Sequence, residues 1–71
     1  MYNIIYYVRD HIEEYTLREE RSLAWVGKKL DMSPQYFNQF LKKDKYSLED
    51  LAKIAEFLNC EVDSLYEIFY K

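Results

Sequence analysis

Apolar residues recur along this chain at intervals of three and four, the mark of helices with one buried face. Ile5, Val8, Ile12 and Tyr15 form the first stripe. It predicts a helix from about residue 3 to the high teens, with Glu13, Glu14 and Glu19 in solvent. Leu23, Val26 and Leu30 form a second stripe on a short helix over 23–30, with Ser22 as its N-cap. After a tight connection at Asp31-Met32, Ser33-Pro34 opens a third helix. Serine supplies the cap oxygen, and proline in the first position gives up an N–H that the helix does not use. Phe37, Phe40 and Leu41 then point inward, Gln35, Asn38, Gln39 and Lys42 outward, and Tyr36 sits at the border. Ser47-Leu48-Glu49-Asp50 resembles a capping box with Asp in the usual Glu place. It begins a helix carrying Leu48, Leu51, Ile54, Ala55 and Leu58 on one side and ending near Asn59. Asp63 caps a last helix with Leu65, Ile68 and Phe69 inward. The pattern therefore predicts an all-α fold, a compact five-helix domain spanning residues 1–71 as a single unit.

Composition narrows the class. One Gly and one Pro, with 49% hydrophobic and 18% aromatic residues, suit helices joined by short turns. A chain of 71 residues makes one domain, with little room for an enzyme cleft. Cys60 is the only cysteine and has no internal disulfide partner, which fits a reducing compartment. The first ten residues lack the basic start of a signal peptide, and no apolar run approaches the roughly 18 residues of a membrane span. The expected location is cytoplasmic.

The net charge of −3 hides an uneven distribution. Residues 1–20 carry two basic and five acidic side chains, and residues 46–71 carry two basic and six acidic. Residues 21–45 carry six basic side chains (Arg21, Lys28, Lys29, Lys42, Lys43, Lys45) against two acidic. Local positive charge marks where a polyanion would sit.

That basic segment holds a short capped helix, a turn and a second capped helix with an amide-rich outer face. An α-helix fits the DNA major groove, and Gln or Asn there donates and accepts together against adenine. Gln35, Tyr36, Asn38 and Gln39 are the candidate base readers. Lys28, Lys29, Lys42, Lys43 and Lys45 are candidate phosphate contacts, with the helix starts at Ser22 and Ser33 offering free N–H groups. Gly27 lies inside a helix, where it costs roughly 1 kcal/mol against Ala. Close approach of the following helix would justify it.

The run from Leu23 to Leu41, with Gly27, the Asp31-Met32 turn, Ser33-Pro34, Gln35 and Gln39, resembles the helix-turn-helix of the lambda-repressor/Cro-like (XRE) regulators. Ser47 to Leu58 is similar to the helix that follows in that family, and Cys60 to Leu65 to its closing loop and short fifth helix. The resemblance covers roughly residues 17–69. It implies site-specific binding of duplex DNA, repression by occupying an operator, Gln35 and Gln39 as base readers, and Lys42 and Lys43 in a phosphate-contacting loop. Asp31 stands where the family usually has Gly, and Leu41 and Lys42 replace its common Glu and polar residue.

One such domain reads only a few base pairs, so a homodimer on an inverted repeat is expected, with half-sites about 34 Å apart. The last helix, with Tyr66, Phe69 and Tyr70, is the first choice of dimer surface and the first helix the second. Six of the eight tyrosines (Tyr2, Tyr6, Tyr7, Tyr15, Tyr66 and Tyr70) cluster toward the chain ends, away from the basic segment, which favours packing or association over stacking on RNA bases. His11 has no second His or Cys nearby and reads as a surface residue. Cys60 reads as a small buried apolar residue. No nucleophile triad, phosphate-cradling Gly loop or metal set is present, so neither catalysis nor a cofactor is expected. The alternative is a protein-binding module or small inhibitor using the same fold on a protein target.

Overall fold

The computed structural model describes residues 1–70, with four α-helices and one short 3-10 helix set between two strands. In chain order they are β1 (Tyr2–Tyr6), α1 (Val8–Glu19), α2 (Leu23–Lys29), α3 (Pro34–Leu41), α4 (Leu48–Leu58), the 3-10 helix Val62–Leu65 and β2 (Tyr66–Tyr70). The all-α, five-helix expectation is thus corrected at both ends. The start assigned to the first helix is a strand, and the expected last helix is a 3-10 turn that runs into a second strand. The two strands pair antiparallel, with Tyr2 opposite Tyr70, Ile4 opposite Ile68 and Tyr6 opposite Tyr66.

Residue chemistry explains the correction. Tyr, Ile and Phe favour the pleated strand, and aromatic or β-branched residues facing each other across a pair stabilise it. Ile5 had the spacing of a helical stripe but is 46% exposed, and only Val8 and Ile12 of that stripe are buried. Ile68 and Phe69, expected inward, stand 41% and 40% exposed, whereas Leu65 is fully buried.

The middle of the chain folds as its caps direct. The Ser22 hydroxyl accepts from Trp25 N–H at 3.1 Å and the Ser33 hydroxyl from Tyr36 N–H at 3.2 Å. Ser47 and Asp50 form a complete capping box, each side chain accepting from the other's backbone N–H. Three helices end on a non-glycine residue in the left-handed region: Glu20 (φ 54°), Asp31 (φ 62°) and Asn59 (φ 57°). At Asp31 the turn is closed by Asp31 N–H on Lys28 O at 3.0 Å and Met32 N–H on Gly27 O at 2.9 Å, a Schellman arrangement. Asp is among the few L-residues that take this conformation at low cost, so it can replace Gly there.

Ile12, Val26, Phe40, Ile54 and Leu65 are the fully buried centre, drawn from all four helices and the 3-10 turn. Tyr46 packs edge-on against both Phe40 and Tyr6, and its hydroxyl donates to the Phe40 carbonyl. This ties the sheet and the loop after α3 into one core. Leu23 and Leu48 lie on the expected stripes but are exposed at the first position of their helices. Gly27 is buried against α3. A Cβ there would lie 2.8 Å from Cδ2 and 2.9 Å from Cγ of Phe37. Such spacing is tighter than packed carbons accept, so the glycine is what lets the two helices meet. Among the described residues no helix is long and apolar enough to cross a membrane.

Candidate nucleic-acid interface

α3 divides into two faces. Phe37, Phe40 and Leu41 are buried, while Gln35, Tyr36, Asn38 and Gln39 are exposed side by side. Tyr36 is 48% exposed with its ring tilted beside Phe40, so it is half a packing residue and half a surface one. The amide face follows from the period alone. With positions 37, 40 and 41 committed to the core, 35, 38 and 39 turn the other way.

The serines and lysines named with this face serve different ends. Ser22 and Ser33 each commit a hydroxyl lone pair to a helix N–H, so what they leave for an anion is the hydroxyl proton and the remaining backbone donors of the first turns. Lys28 borders a shallow groove of about 290 Å³ between α2 and α3, beside Pro34 and Phe37. Lys42 is the C-cap residue of α3, and Lys45 lines a cleft beside Tyr2 and Ile4. All three are exposed, and among the described residues none of them forms an ion pair.

Lys29 and Lys43 stand apart. Lys29 lies on the opposite flank of α2, its ammonium 5.4 Å from the Trp25 ring, near Lys53, Glu56 and Phe57. Lys43 turns back over the Phe40 and Tyr46 rings and forms an ion pair with Asp50 at 2.8 Å. Its hydrogen bond to Asp50 pushes the Lys43 pKa up. Burial pushes the Asp50 carboxyl up, but the Lys43 ammonium and the Ser47 N–H and hydroxyl outweigh it and hold it below the ordinary carboxylate value. A phosphate would have to compete with that carboxylate. Lys43 is thus a cap-locking residue before it is an anion contact.

Arg21 belongs to the same basic segment. Its guanidinium lies 4.5 Å over the Trp25 ring, so Arg21 and Lys29 both stack on one tryptophan, itself tilted against Phe57. The signal was the spacing of four between residues 21, 25 and 29. His11 is half-buried rather than fully on the surface, and its Nε2 meets the Ser64 carbonyl at 2.8 Å, fastening the 3-10 turn to α1. Cys60 is half-buried, and burial raises its thiol pKa, the reverse of an activated nucleophile. No family model, no curated protein and no solved structure matches this chain.

Proposed function

We propose that this chain binds duplex DNA site-specifically, with α3 in the major groove and α2 bracing it across the backbone, and that it regulates transcription by occupying its site. The supporting observation is the single exposed face carrying Gln35, Asn38 and Gln39, on a helix whose other side is committed to the core. Amides at that spacing are suited to adenine edges, and Lys28 and Lys42 near the two ends of α3, which form no ion pair among the described residues, are suited to phosphates. The resemblance of residues 22–42 to the helix-turn-helix of lambda-repressor/Cro-like regulators belongs to the same proposal.

The test is selection of bound sequences from a random duplex pool, then titration of the winner against the double variant Gln35→Ala, Gln39→Ala. Each lost bidentate contact should cost about 1–3 kcal/mol on the selected site, with the fold unchanged. Absence of any association with diverse duplexes at low salt defeats the proposal. A second reading, a module that docks on another protein, is favoured by the exposed apolar residues of the sheet. It predicts no enrichment from the pool.

A further inference from the structure

We propose that β2 pairs edge to edge with β2 of a second copy of this chain, making a four-stranded antiparallel sheet. The open edge follows from the ladder. Tyr7 N–H donates to Leu65 O at 2.8 Å, which makes residues 7 and 65 a hydrogen-bonded pair. In an antiparallel ladder such pairs alternate, so Ile5 with Glu67 and Asn3 with Phe69 are the next two. The N–H and C=O groups of Tyr66, Ile68 and Tyr70 therefore point away from β1. Beside β1 lies a cleft of about 480 Å³ lined by Tyr2, Asn3, Ile4, Tyr6, Asp44 and Lys45, so two charged side chains flank that strand, and Tyr6 leans on Tyr46. The β2 edge is the one that extends in this proposal.

The outward row of β2 reads Tyr66, Ile68, Tyr70, the same in both directions. Antiparallel pairing about Ile68 places Ile68 against its own copy and Tyr66 against Tyr70, the self-complementary contact that two-fold symmetry requires. β1 carries the same row as Tyr2, Ile4, Tyr6 in register with it. One face of the joined sheet would then hold a row of four isoleucines, Ile4 and Ile68 from each copy, between two rows of four tyrosines. Charge agrees. Glu67 is the only charged residue in either strand, it lies on the other face, and its carboxylate is held by the Tyr7 hydroxyl at 2.8 Å. In this register it meets Phe69 of the other copy. A charged partner finds nothing to pair with in the Tyr-Ile-Tyr row, whereas a second copy supplies the same uncharged row.

Area sets the strength. Tyr2, Ile4, Ile68 and Tyr70 are 59%, 36%, 41% and 81% exposed. Of these only Ile68 and Tyr70 lie on the strand that meets the other copy, Tyr2 and Ile4 standing one strand back, so the area closed is well below the ~800 Å² per side of a standard interface. The dimer is accordingly weak and reversible. Two joined domains would suit a duplex with two half-sites, but the association is measured without DNA and stands or falls separately from the duplex reading.

Sedimentation velocity of the full chain from about 1 µM to about 300 µM should show a monomer passing into a dimer. Ile68→Lys and Tyr70→Lys should each weaken association at least about tenfold with helical circular dichroism retained, while Leu17→Lys on exposed α1 leaves it unchanged. Should Ile68→Lys unfold, the far more exposed Tyr70→Lys decides alone. A monomer at every concentration overturns the proposal. So does a dimer indifferent to Tyr70→Lys.

Discussion

Replacing Gly27 with Ala sets two known effects against each other at one atom. Helix propensity favours alanine by about 1 kcal/mol in a helix interior. Against that, the new methyl carbon would sit 2.8 Å from Cδ2, 2.9 Å from Cγ and 3.2 Å from Cβ of Phe37. The contact reaches Cβ and Cγ, not just the far tip of a flexible chain, and Phe37 is buried with only 3% of its surface exposed. The ring cannot simply swing into solvent, so α3 must move by a few tenths of an ångström. Overpacking of this kind costs typically about 1–3 kcal/mol. The net expectation is a loss of about 1 kcal/mol, equivalent to a fall in Tm of roughly 4–8 °C for a domain of this size. Urea and thermal unfolding followed by far-ultraviolet circular dichroism measure it. The mechanism is separately tested by Gly27→Ala with Phe37→Leu. The smaller side chain should recover part of the loss, giving a favourable coupling of about 1 kcal/mol between neighbours. An unchanged or raised Tm in Gly27→Ala alone would show that α2 and α3 have room to spare, and the account of this glycine would be refuted.

Further expectations concern charge and caps. On the proposed duplex reading, Lys28→Ala and Lys42→Ala should each flatten the salt dependence of binding by about one unit per lost phosphate contact, whereas Lys43→Ala should chiefly lower stability, because its ammonium serves Asp50. Asp50 has a folded-state pKa below its unfolded value, so its contribution is present above about pH 4 and is lost as pH falls through the folded pKa. Asp50→Asn should weaken that acid-side loss in a Tm series from neutral pH downward, at a cost of about 1 kcal/mol at neutral pH from the damaged cap. Glu20 holds φ at 54°, where glycine carries no Cβ penalty, so Glu20→Gly should raise stability by about 0.5–1 kcal/mol in urea unfolding.

The three capped helices over 22–59 are legible in the sequence because their signals are local. Ser22, Ser33-Pro34 and the Ser47–Asp50 box each announce a helix start within four residues, and the structure uses all of them. The outward amides of α3 followed from the positions of Phe37, Phe40 and Leu41. The ends were misread because a strand pair is a non-local fact. Ile5, Val8 and Ile12 happen to fall on a helical period, and nothing within ten residues of Tyr2 reveals that its partner is Tyr70. Lys43 was grouped with its neighbours for a similar reason, since charge runs do not show which ammonium folds back on a carboxylate seven residues later.

The joining of β1 to β2 has a bearing on how this molecule opens. Each strand's only ladder partner among the described residues is the other, some sixty positions away in the chain. A contact so distant in sequence closes late in folding, and a two-stranded ribbon is marginal by itself. The two tails therefore come and go together. Damage near Tyr2 should raise the hydrogen-exchange rate near Tyr70 as much as its own, while amides buried in α4 keep the protection of the whole domain.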